Sequence, residues 1–509
     1  MPAATALADA IRGTGPVALL YVALVLLLWL PCGPKTGMGY ETTFAYNSET
    51  TSFWHGFFYY ADPLRIYTDV FYNLGYHLSA WIGESGSFIG YQIVYAALWW
   101  ARGLLAYLIM RVLLPRYPVL AALTGVLVLV QASDHALNWV GQLNQFGMIF
   151  WMLLAFYALV RALRTPSAVV AAIATGLAVL FTYMSLWSYE SPLFMILAFP
   201  VIVLALQFGW SRRTLAISAA FYVVPLLYMW DSYRRYATSG ASTYQESVTR
   251  HSFAPGPLLS DLWFNVESAL KFTGWGSGLP AVTAGTERIL ISLGGAVLAA
   301  VAIAALGYGI LRRGEAIMPG RRPLLLILIA GLLLLVLSFP AYLILGSARL
   351  LWRTQFLAGI GAALALVAAA GLLALAARRR PLQLAVTAVV AGVVSYFGVY
   401  ASFTAASFHY TNWQRTRTAM AEVLGLAPRL QPGSLVVLTG VPKGSADPFG
   451  DNMWFDMSLR LAYPHVPVVG IYFYADGTPA PHENMALHAG WWGPSMGLAT
   501  RRCCRTFHF

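Results

Sequence analysis

Charge is what this chain most lacks. Only 10% of its 509 residues are Asp, Glu, Lys or Arg, against about a quarter in an ordinary soluble protein, while 59% are hydrophobic. So few charges cannot cover the surface of a water-soluble fold of this size. Lysine is nearly missing, with 3 residues against 29 arginines, a bias that with the Ala-rich apolar segments points to a GC-rich bacterial genome. The 3 cysteines, Cys32, Cys503 and Cys504, make no metal motif; on an oxidising side of a membrane they leave open a bridge from Cys32 to either of the pair. No phosphate-cradling glycine loop follows a strand, and no basic connection is long enough for a nucleotide-binding domain. The net charge of +12 is not gathered into a patch with interleaved stacking residues, which excludes a nucleic-acid partner.

What is present in quantity is long apolar runs. Residues 17–30, 168–187, 323–345 and 356–377 each approach the roughly 20 residues needed to cross hydrocarbon, and the pattern predicts an all-α polytopic membrane protein with about 11 transmembrane helices. The arginines sort by side. Arg12, then Arg111 and Arg116, Arg161 and Arg164, Arg212 and Arg213, Arg312 to Arg322, and Arg378 to Arg380 mark alternate connections, as the positive-inside rule requires of cytoplasmic loops. The N-terminus is then inside and the C-terminus outside. Of the 20 carboxylates, only Asp9 and Glu315 fall on the arginine side. Leu30-Pro31-Cys32 is weakly similar to a lipoprotein cleavage site, but Pro31 and the lack of a small-residue site make the first run a retained anchor.

Two long external loops are expected, residues 33–87 and 231–288. The first is crowded with Phe53, Trp54, Phe57, Phe58, Tyr59 and Tyr60, the composition of a headgroup-level belt, which predicts amphipathic surface helices, one of them over 63–82. A further surface helix is expected over 262–272. The polar corners between apolar runs carry Ser133-Asp134-His135 and Ser188-Tyr189-Glu190-Ser191. Residues 1–405 read as the transmembrane domain and 406–509 as a small periplasmic α/β module, with strands over 434–439 and 466–474 and a helix over 452–461.

Four of these segments together resemble the GT-C superfamily of polytopic glycosyltransferases, in particular its protein O-mannosyltransferase-like members. Asp62-Pro63-Leu64-Arg65 with Tyr72-Asn73-Leu74-Gly75-Tyr76-His77 resembles the end of their first loop. Ser133-Asp134-His135-Ala136-Leu137-Asn138-Trp139 is similar to their acidic corner, and Ser188-Tyr189-Glu190-Ser191 to their Lys-Glu-Ser corner, with Tyr189 in place of the lysine. The segment from Arg349 to Phe356 resembles their arginine-bearing outer loop. The resemblance implies transfer of a sugar from a polyprenyl-phosphate-linked donor to a glycan, lipid or protein acceptor, at a site facing the periplasm of a bacterial inner membrane. It also implies a catalytic carboxylate soon after the first helix. Glu41 matches that position, although the paired acids usual there are only Tyr40-Glu41 here, so Asp62 and Asp69 stand as rivals.

The chemistry needs a base for the acceptor hydroxyl and cations for the departing phosphate. A carboxylate in a dry site at the membrane edge has its pKa raised toward the first role, and Arg349 and Arg353 suit the second because guanidinium binds phosphate bidentately. Each residue also has a plainer use. Asp134 could cap the following helix, Glu190 could complement a helix dipole, and Asn138, Gln142 and Gln145 could bind sugar hydroxyls or a neighbouring helix. Arg65 and His135 accompany these acids. Arg102 falls midway along the second apolar run, where it must pair or face a polar cavity. His55 and His77 lie among acids that could hold a divalent cation, although their spacing fixes no geometry. Two other functions fit the composition: an O-antigen ligase or polymerase using Arg234, Arg235, Arg250 and His251 of the second loop, and a secondary transporter or lipid-linked-sugar flippase.

Overall fold

The computed structural model describes residues 2–38, 54, 65–82, 88–238, 250, 253–279, 285–344, 349, 351–464, 466–481 and 504–508, with backbone only for 2–13, 236–238 and 504–508. Helix α1 (Pro2–Trp29) is followed by the short α2 (Val70–Ile82), then α3 (Ile89–Leu113), α4 (Pro118–Val130), α5 (Leu143–Arg164), α6 (Ala168–Leu186) and α7 (Leu193–Val203). After these come α8 (Arg212–Thr238), α9 (Pro255–Leu270), α10 (Gly285–Arg312), α11 (Arg321–Val336), α12 (Ala358–Ala376) and the 47-residue α13 (Arg380–Leu426). Among the described residues, eight helices are long and apolar enough to cross a membrane, and three shorter apolar segments, Thr14–Trp29, Pro118–Val130 and Leu193–Phe208, accompany them. The chain is a multi-pass helical membrane protein. Helices stand where the two surface helices were expected, over shifted bounds: α2 starts at Val70 rather than 63, and α9 runs Pro255–Leu270 rather than 262–272.

Punctuation in the sequence sets the helix ends. Pro118 opens α4 at a position whose N–H would have no partner, Ser167 caps α6 by accepting from the Val170 amide, and Gly209, at φ +66°, closes the turn after α7. Helix α4 is apolar on every side because it lies at the centre: all its residues after Pro118 are buried. Around it the Tyr21 hydroxyl donates to the Ala122 carbonyl at 2.9 Å and the Trp99 indole to the Leu129 carbonyl at 3.0 Å. The outer helices show the reverse pattern. On α10, Leu290, Leu293, Val297 and Val301 are exposed along one face, while Ser292, Gly295, Ala299, Ile303 and Gly307 are buried along the other. Exposed leucine and valine in such a stripe is the lipid-facing surface, and small residues are the helix–helix contact.

A close crossing joins α11 to α12. A Cβ added to Gly361 would lie 2.3 Å from the Leu335 amide nitrogen, and one added to Gly331 would lie 2.6 Å from that of Ala365, so backbone meets backbone there.

The C-terminal module is a three-stranded parallel sheet in the order β2-β1-β3: β1 (Ser434–Val441), β2 (Val468–Tyr474) and β3 (Cys504–His508). Helix α14 (Asn452–Ala462) covers it through Phe455 and Leu459. The boundary expected at 405 falls inside α13, which continues to Leu426 and places Ala419 and Val423 in the module's core. The continuation is physical: 405–426 contains no proline, and its only glycine, Gly425, stands at the end. The strand at 504–508 was not foreseen. Cys32 is buried against Phe403 and Ala406 of α13, and Cys503 lies outside the described residues.

A Gly361→Val substitution is expected to destabilise the protein by about 1–3 kcal/mol through overpacking. Gly294→Ala, on α10 with nothing within 4 Å of the added Cβ, is expected to be neutral or slightly stabilising. Thermal unfolding in detergent separates the two.

Candidate functional site

The helix corners opposite the arginine-rich connections hold many of the buried polar groups. At the centre is Asp134, in the loop between α4 and α5. Its Oδ1 accepts from the amides of Ala136 at 2.8 Å and Arg353 at 3.0 Å, and its Oδ2 from the amide of Gln355 at 2.8 Å. The carboxylate therefore ties its own corner to the loop that precedes α12, rather than capping α5. Burial raises its pKa to about 6, with the three N–H groups and Arg353 pulling the other way. The same two loops are joined by the His135 amide, which donates to the Leu351 carbonyl at 2.8 Å.

Backbone strain collects at this junction. Among the described residues, Asn138 at φ +68° and Arg353 at φ +70° are the non-glycine residues in the left-handed region. Asparagine tolerates that region, arginine much less so, and such a residue costs about 1–3 kcal/mol. The Asp134 bond to the Arg353 amide offsets part of it. Asn138 is fixed by its amide bond to the Tyr95 hydroxyl at 2.7 Å and by its Nδ2, which donates to the Ser402 carbonyl at 3.0 Å. The Arg353 guanidinium lies over the Trp139 ring at 5.2 Å, and Trp139 stacks on His409 of α13. Gln142 is buried and its Nε2 donates to the Gly141 carbonyl.

A chain of side chains runs outward from Asp134. Gln131 donates to Ser133, Ser133 to Gln355, and the Gln355 Nε2 to Asn265 Oδ1 on α9 at 2.8 Å. One turn back on α9, Asp261 receives Arg250 and, at 2.5 Å, Arg349. Those hydrogen bonds hold the Asp261 pKa below the usual carboxylate range. Among the described residues two guanidiniums share this one carboxylate, which leaves the Arg349 cluster a positive charge. Arg349 also donates to Ser260 and is more than half exposed.

On the other side, residues 65–69 dock on the corner after α6. The Tyr67 amide donates to the Trp187 carbonyl at 3.0 Å and the Thr68 hydroxyl to the Ser188 carbonyl at 2.8 Å. Arg65 pairs with Glu190 at 2.8 Å and lies over the Tyr189 ring at 4.5 Å. Glu190 is thus the partner of Arg65 rather than only a helix-dipole neighbour. Tyr342, in the turn after α11, stands beside Ser191 with Asp134 and Glu190 both in electrostatic range, which links the two halves.

Asp69 closes this docked segment. Its Oδ1 is buried and accepts no hydrogen bond from the described residues, and Asn73 Oδ1, one helical turn on, is in the same state. Some of the Asp69 residue remains accessible, and burial raises its pKa to about 7. A carboxyl with one buried oxygen that no described residue donates to, poised near neutrality, has the properties of a general base.

Arg102 is buried in α3 and donates to the Phe356 carbonyl at 3.2 Å; it forms no ion pair among the described residues, though Asp134 is in electrostatic range. Gly359 makes room for it, since a Cβ there would lie 2.1 Å from Nη2. His77, on α2, packs edge-on against Tyr76. Glu41, Asp62, His55 and His251 lie outside the described residues. Sequence reasoning missed Tyr342, Gln355, Asn265 and Asp261; only Gln355, inside the arginine-bearing segment before the run over 356–377, carried a local signal. No family model, curated protein or solved structure matches the chain.

The raised Asp69 pKa fixes a sign. Between the unfolded carboxylate value near 4 and about 7, the folded state binds the extra proton, so this group's contribution to stability falls as pH rises through that window. Asp69→Asn is expected to raise the thermal midpoint at pH 8, with the gain shrinking toward pH 5. Asp134→Ala is expected to lower it, through a stability loss of about 1–3 kcal/mol for each N–H left without an acceptor. Unfolding scans of the three proteins across pH 5–8 test both signs.

Proposed function

We propose that the chain is a glycosyltransferase that moves one sugar from a polyprenyl-phosphate-linked donor to an acceptor on the periplasmic side of a bacterial inner membrane. In this reading the three shorter apolar segments also cross, giving eleven spans with the N-terminus inside. The observation that carries it is the buried Asp69 Oδ1, which accepts no hydrogen bond from the described residues, at the bundle end where Arg250 and Arg349 share Asp261. Asp69 takes the proton of the acceptor hydroxyl. The hydroxyl oxygen bonds to the anomeric carbon from the face opposite the phosphate, the carbon–oxygen bond to phosphate breaks with its electron pair, and the product has inverted configuration. Arg349, with the charge left over from the Arg250–Asp261 pair, and Arg353 on its strained loop balance the departing lipid phosphate. Arg65 and Glu190 shape the acceptor side, and Arg102 holds the loop before α12 through Phe356. Glu41 and Asp62 remain rival bases.

The ligase-like alternative has less support. Arg234 and Arg235 are paired with Asp231, and Arg250 with Asp261, so the second-loop arginines are partly neutralised. A transporter would need ionisable groups near the bilayer centre in both halves.

The test is turnover of radiolabelled polyprenyl-phosphate monosaccharides by protein reconstituted in liposomes. Asp69→Asn is expected to lose about 10²- to 10⁴-fold in rate, and the wild-type rate to rise with pH to a plateau, with a midpoint near 7. Arg353→Gly relieves the left-handed strain and is expected to fold normally yet transfer poorly. Full turnover by Asp69→Asn assigns the base to Glu41 or Asp62, to be checked by Glu41→Gln and Asp62→Asn. Full turnover by all three, or none by wild type with any donor, contradicts the reading.

A further inference from the structure

At the opposite end of the bundle, where the arginine-rich connections lie, a cavity of about 670 Å³ opens between α3, α7 and α11, within the roughly 300–1,000 Å³ of small-molecule sites. Its depth is apolar, with Met110, Phe199 and Leu326 among its walls. Its mouth carries Arg116, Arg164 and Arg322, contributed by three different connections. All three are exposed, and none is paired with a carboxylate among the described residues.

The opening has a local cause. Helix α7 contains Pro200, which cannot donate to the preceding turn, and it ends in a widened π-helical turn, Leu204–Phe208, closed by Gly209 at φ +66°. Such interrupted turns recur at functional sites. Phe199 is held by parallel stacking on Phe156 of α5, with centroids 3.8 Å apart, so the wall next to the proline is fixed.

Three unneutralised guanidiniums around one mouth repel one another, and an apolar hollow beneath them suits neither water nor an inorganic ion alone. Both features are answered by a ligand with an anionic head and a hydrocarbon tail. We infer that this cavity is a binding site for an anionic phospholipid, its headgroup on Arg116, Arg164 and Arg322 and an acyl chain between α3, α7 and α11. Basic pockets between membrane helices bind anionic headgroups in this way. The site lies at the opposite end from the proposed transfer chemistry and does not rest on that reading.

The experiment uses the full chain, delipidated in mild detergent, with lipid binding followed by native mass spectrometry and thermal midpoint. Phosphatidylglycerol is expected to bind and stabilise, and phosphatidylcholine with the same acyl chains to bind about a hundredfold more weakly, since each arginine contributes about a factor of five. The triple variant Arg116→Gln, Arg164→Gln, Arg322→Gln is expected to abolish that preference. Leu326→Trp, which fills the hollow, is expected to weaken both lipids while leaving the lipid-free midpoint at or above the wild-type value. If the triple variant is unstable, the wild-type preference is read against salt, where it should shrink as ionic strength rises. Equal affinity for the two lipids, a preference that persists in the triple variant or is indifferent to salt, or equal protection by glycerol phosphate without a chain would overturn the assignment.

Discussion

A helix bundle with a lipid-facing surface must satisfy its polar groups internally, because hydrocarbon offers no partners. That constraint organises this molecule. Leucine, valine and alanine fill the walls, and many of the buried side chains that need partners are gathered where the helices turn. Asp134 is the node. With three backbone amides on its two oxygens, it sets the spacing between the corner after α4 and the loop before α12. Gln355, Asn265, Asp261 and Arg349 follow from that spacing.

Two carboxyls at this end differ in kind. Asp134 is surrounded by donors and spends its acceptor capacity on architecture. Asp69 sits on a docked segment where neighbouring backbone groups are paired but its own Oδ1 is not. Burial raises the pKa of both, yet only Asp69 is left with an unused acceptor. Leaving a buried carboxyl without donors is costly, and such costs persist where reactivity is needed. The left-handed Arg353 is a second cost, stored in the loop that also carries Arg349.

Much of the helical framework was legible because apolar runs and their punctuation are local. The run over 168–187 became α6, Ala168–Leu186, with Ser167 as its cap, and the strands at 434 and 468 followed from β-branched runs between turns. Length beyond the membrane was not legible in the same way. Hydropathy falls after 404, but helix formation does not require hydropathy, and α13 runs on to Leu426. At the site, the corners stood out as polar residues between apolar runs. Their partners did not, because Asp134 bonds residues 219 and 221 positions away and Arg349 pairs with Asp261, 88 positions back. The sequence shows Asp134 as an acid; only the fold shows that it is a clamp.

The account turns on the state of one carboxyl, and that state can be read without any substrate. Difference infrared spectroscopy of the reconstituted protein, taken against Asp69→Asn across a pH titration, isolates the Asp69 carboxyl band. A protonated carbonyl stretch that disappears with a midpoint near 7 is the predicted result. Ionisation in the ordinary carboxylate range, near pH 4, would contradict it.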